Sequence, residues 1–118
     1  MVLKEQFPIK HTPVTSIRKG MRLLVHYDNP KQILVDRVRR DKDNVTFVYL
    51  SHPLPCGRDY VRYPTNGNCV QVRGSHELCT SEGEFRGDFI VMRNYRTNKT
   101  RRLHKICLNV QWGVCNYQ

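Results

Sequence analysis

From Lys105 to Trp112 the chain alternates without a break. Ile106, Leu108, Val110 and Trp112 fall on one side, and Lys105, Cys107, Asn109 and Gln111 on the other. Successive side chains of a strand point to opposite faces, so this pattern is that of a sheet with one buried and one wet side. VTFVYL at 45–50 and CVQVR at 69–73 alternate in the same way. No apolar repeat of helical period persists over three turns anywhere in the chain. A helical bundle is therefore excluded, and a mainly β fold is expected.

Strands are predicted at 21–27, 32–38, 45–50, 59–63, 69–73, 85–95 and 101–112. The alternation of the second breaks around Asp36 and Arg37, which calls for a bulge or a short helix. DKDN at 41–44 is a turn, and the segments it joins make an antiparallel hairpin. A second hairpin turns near Thr97–Thr100. The triplets at Asn44 and Asn98 match the glycosylation pattern but read as turn chemistry. Residues 1–16, interrupted by Pro8 and Pro13, are expected to form an irregular N-terminal arm, and 74–84 a polar loop. Six or seven short strands with Pro- and Gly-rich joints predict one domain over 1–118. Its expected form is a small antiparallel barrel or sandwich, SH3-like or OB-like, with room for one short helix. Phe47, Ile106, Leu108, Val110 and Trp112 are the expected core.

The formal charge is +10 at pH 7. It is uneven: residues 1–40 hold nine basic and three acidic groups, 41–80 four of each, and 81–118 seven and three. A chain so charged repels itself, and a polyanion is its natural partner. The densest run is Arg93, Arg96, Lys99, Arg101, Arg102 and Lys105, and no carboxylate occurs from Thr97 to Gln118. Arginine meets phosphate bidentately, so these six are expected to converge at a hairpin tip, with Tyr95 stacking beside them. A second basic set comprises Arg18, Lys19 and Arg22, with Arg37, Arg39 and Arg40 further on. Arg37 and Arg39 should share a strand face, while Arg40 is expected to be partly neutralised by Asp41 and Asp43. Tyr60, Arg62 and Tyr63 lie in the connection between strands, where a binding loop is expected.

The function expected is that of a small basic accessory or regulatory protein that contacts DNA or RNA mainly through the phosphate backbone. The alternative is an interaction or inhibitor protein docking on an acidic protein surface. A small ribonuclease using His76, Glu77 or His104 ranks third, and no enzyme activity is expected. The five cysteines show no CxxC pair, so neither a disulfide framework nor a metal is expected, and no cofactor either. A cluster of Cys69, His76 and Cys79 with Cys56 is the one conceivable zinc arrangement. No apolar run is long enough to span a bilayer, and the N-terminus lacks a secretory pattern. Cytoplasmic or nuclear residence, away from membranes, is the expectation.

Overall fold

The computed structural model describes residues 8–25, 30–54, 57–79 and 89–104. Among the described residues nine strands follow one another: β1 (Ile9–Pro13), β2 (Arg22–Val25), β3 (Lys31–Arg40), β4 (Val45–Leu50), β5 (Tyr60–Pro64), β6 (Asn68–Val72), β7 (His76–Leu78), β8 (Phe89–Asn94) and β9 (Lys99–His104). The helix allowed for is a three-residue 3-10 turn, Val14–Ser16. The expected core stripe at Ile106, Leu108, Val110 and Trp112 lies outside the described residues.

The strands form two antiparallel sheets in a sandwich-like arrangement. One has the order β1-β6-β2-β3-β4-β5 and the other β7-β8-β9. The barrel alternative is corrected by this order: β1 and β5 end the larger sheet, and β7–β9 form a separate one. Among the described residues no ladder joins the two ends. The N-terminal arm is corrected as well, since residues 9–13 run antiparallel to β6 from Ile9↔Val72 to Pro13↔Asn68. Part of the expected polar loop is β7, paired with β8.

The LLV run of β2 explains the two layers. Leu23 and Val25 enter a core with Val35, Val48, Leu50, Val61 and Tyr63, while Leu24 enters another with Val70, Val72, Ile90 and Met92. Both faces of this short strand are covered, so its apolar residues are continuous rather than alternating. Gln32 fastens the layers from the neighbouring strand, its Oε1 accepting the Leu78 N–H at 2.8 Å.

The hairpin turns use asparagine where the backbone goes left-handed, at Asn44 (φ 63°) and Asn98 (φ 64°). Asparagine tolerates that region better than most residues with a Cβ. The expected irregularity in β3 is a bulge: Val35 pairs Leu50, but Arg37 pairs Tyr49, so one residue is extra between them. Among the described residues no helix is long and apolar enough to cross a membrane.

Candidate functional site

Strand β4 decides the site. Thr46, Val48 and Leu50 are buried, whereas Val45, Phe47 and Tyr49 are only half-buried. The expectation that Phe47 belongs to the core is therefore wrong. Both faces of VTFVYL are apolar enough to be buried, and Val48 and Leu50 take the inner one.

Two rows of side chains cross the outer face. Arg39 opposes Phe47, which opposes Arg62; Arg37 opposes Tyr49, which opposes Tyr60. Directly paired residues share a face and stand close enough to interact. The Arg37 guanidinium carbon lies 3.8 Å from the Tyr49 ring centroid, and that of Arg39 lies 4.3 Å from the Phe47 centroid. Tyr60 sits beside both rings, with centroids 5.8 Å from Phe47 and 6.0 Å from Tyr49. Arg58 extends the group, donating from Nη1 to the Tyr60 hydroxyl at 3.1 Å. Tyr63, expected in a binding loop with Tyr60 and Arg62, points inward and is 1% exposed.

The face is cationic. Arg39 is held above the ordinary arginine pKa, first by its hydrogen bond to the Tyr49 hydroxyl and then by the charges of Tyr49 and Asp41, against some desolvation. Among the described residues, Arg37, Arg39, Arg58 and Arg62 form no ion pair with a carboxylate. Arg40 turns away and does not pair with Asp41 or Asp43. Its Nη2 donates to the carbonyls of Val14 at 3.0 Å and Ile17 at 3.4 Å, anchoring the 3-10 turn.

The basic tip is dispersed. Register pairs Val91 with Arg102 and Met92 with Arg101, so the two neighbouring arginines leave β9 on opposite faces. Arg102 covers the Phe89 ring at 4.5 Å, and Phe89 meets His104 edge-on at 4.9 Å. Arg93 forms a salt bridge with Glu77, its Nε 2.9 Å from the carboxylate. Tyr95 is 51% exposed and donates from its hydroxyl to the Gly74 carbonyl at 3.3 Å. Arg96 and Lys99 are exposed at the turn, and Lys105 lies outside the described residues. A run without acids in sequence does not make a convergent site, because strand alternation divides it and a carboxylate from β7 reaches in.

The second basic set divides too. Arg22 donates to the carbonyls of His76 at 2.6 Å, Arg73 at 3.3 Å and Gly74. Its guanidinium is a clamp between β2 and the turn before β7. Arg18 and Lys19 are exposed, and Arg18 edges an open hollow of 350 Å³ that Lys10, Ser16 and Gln71 also line.

His76 is buried beneath this clamp and its Nδ1 has no hydrogen-bond partner. Desolvation holds its pKa below the ordinary histidine value, and the charges of Arg73, Arg22 and Arg101 act in the same direction. With Glu77 engaged by Arg93, the ribonuclease pair that the sequence offers has its acid already committed. Cys69 is buried, and desolvation pushes its thiol up to about 12. Cys69 is a free thiol, and among the described residues no three His, Cys, Asp or Glu side chains gather as metal ligands.

The signal for the actual cluster was present in the sequence. Arg37 and Arg39 lie two residues apart, and a hairpin closing at DKDN sets Arg39 opposite Phe47. No family model, curated protein or solved structure matches the chain.

Proposed function

We propose that the protein is a small nucleic-acid-binding accessory factor that grips the phosphate backbone with the arginines of the β3–β5 outer face. One observation carries the reading: two cross-strand rows place Arg37, Arg39 and Arg62 among three aromatic rings. Arginine offers phosphate a planar fork of donors, and its stacking on a ring holds that fork in place before any ligand arrives. The net charge of +10 adds long-range attraction. Arg96 and Lys99 at the β8–β9 turn, with Arg18 and Lys19, act as supporting phosphate ligands.

The test is a salt series with labelled DNA and RNA, single-stranded and duplex, on the wild type and on the double variant Arg37→Gln/Arg39→Gln. Each arginine that neutralises a phosphate should, once replaced, lower the duplex salt slope by about 0.9. A folded double variant with unchanged affinity and slope removes the face from the reading. A wild type that binds no nucleic acid even at low salt defeats the reading itself.

A further inference from the structure

Resting on that reading, we infer that the occupant of the β3–β5 face is a single strand, with consecutive bases laid over the Arg39–Phe47 and Arg37–Tyr49 rows. Spacing is the reason. Phe47 and Tyr49 are two residues apart on β4 and share its outer face. An antiparallel strand advances about 3.4 Å per residue, so the rows stand about 6.8 Å apart. Bases in a duplex repeat every 3.4 Å or so along each strand. Neighbouring bases can meet successive rows only after separating to about twice that distance. A paired duplex holds its bases stacked; a single strand can open them.

The chemistry of each row suits such a base. The guanidinium groups of Arg37 and Arg39 rest over the rings and both residues are exposed. A base can stack on a guanidinium plane as well as on an aromatic face. Base, guanidinium and ring then form a layered stack, and the N–H edges of each arginine remain turned toward the phosphates. Tyr60 supports both rings from the next strand and keeps the platform continuous. Stacking of this kind tolerates any base, so the strand is taken without strong sequence preference.

The deciding experiment measures binding of the full chain to labelled oligothymidylate, oligouridylate and a duplex of equal length. The proteins compared are the wild type, Phe47→Leu, Tyr49→Leu and Phe47→Tyr. Phe47 and Tyr49 lie outside both buried cores, and unfolding in urea shows whether each variant is folded. The inference expects each leucine variant to lose about fivefold or more on single strands while duplex affinity is unchanged, and Phe47→Tyr to keep wild-type binding. Equal affinity of the wild type for single strands and duplex, or equal losses on both with the leucine variants, overturns it and leaves backbone binding standing. Retention of single-strand affinity by both folded leucine variants also overturns it. Absence of all binding ends this inference and the broader reading together. A difference between oligothymidylate and oligouridylate tells DNA from RNA as the preferred strand.

Discussion

Arg37 and Tyr49 are direct partners across the β3–β4 ladder, and the guanidinium carbon lies 3.8 Å from the ring centroid. Pairs of this type contribute about 0.5–1 kcal/mol where solvent reaches them. A double-mutant cycle, Arg37→Ala with Tyr49→Ala, should return a coupling of about that size in urea unfolding. Strictly additive losses would show that the pair contributes nothing to stability.

Arg22→Met should destabilise the fold by about 2 kcal/mol or more. It removes a charged donor from the carbonyls of Arg73, Gly74 and His76. Arg22→Lys should recover little, because an ammonium cannot span three acceptors with a fixed fork. Urea midpoints with an unchanged slope would measure this. A lysine variant of wild-type stability would mean that position 22 needs only a charge.

His76 makes stability depend on pH. Its native pKa lies below the ordinary value of 6.5, mainly through desolvation. The unfolded chain takes up this proton first as the pH falls, so the native state loses stability below about 6.5 and is favoured above it. His76→Gln should flatten that part of the stability profile. An identical slope in wild type and variant would assign the dependence to other groups.

Cys69 should resist alkylation in the native protein at pH 8 and react readily after unfolding. Its thiol is buried in the larger core and raised to about 12, so almost no thiolate is present. In the unfolded chain the thiol ionises near its ordinary 9.0. The native state accordingly holds this proton longer, and its stability falls as the pH rises from about 9 toward 12. Peptide mapping of labelled cysteines gives the rate at this position. Native labelling as fast as in the unfolded chain would contradict the burial.

Much of the strand pattern was legible in the sequence, because period-two alternation and turn residues are local signals. The β3–β4 hairpin and the irregularity at Asp36 follow from such signals. Three things were not legible. β1 carries two intermediate or buried residues among exposed ones, and it becomes a strand only because β6 pairs with it across the chain. β7 has three residues, too few for periodicity to register. The inner face of β4 is ambiguous because Phe47 and Tyr49 compete with Val48 and Leu50, and only the arginines opposite break the tie. The arginine–aromatic rows of the β3–β5 face were not singled out in the sequence for a related reason. Charge density along the chain singled out the β8–β9 tip, whereas charge density on one face depends on register.

The bulge at Asp36 has a consequence of parity. Before it, the odd residues Ile33 and Val35 point into the core. Beyond it, even-numbered Val38 packs against that core and Arg37 and Arg39 face outward. An unbroken count would have carried both arginines inward, since a slip of one residue exchanges the faces of a strand. The outer rows thus depend on Asp36 standing outside the ladder count rather than on what its side chain is. Asp36 can change its identity and the platform keeps its phase. Deleting it would only remove the bulge, leaving Val35↔Leu50 and Arg37↔Tyr49 as successive pairs. Drawing Asp36 into the ladder would instead invert the strand beyond and erase the platform.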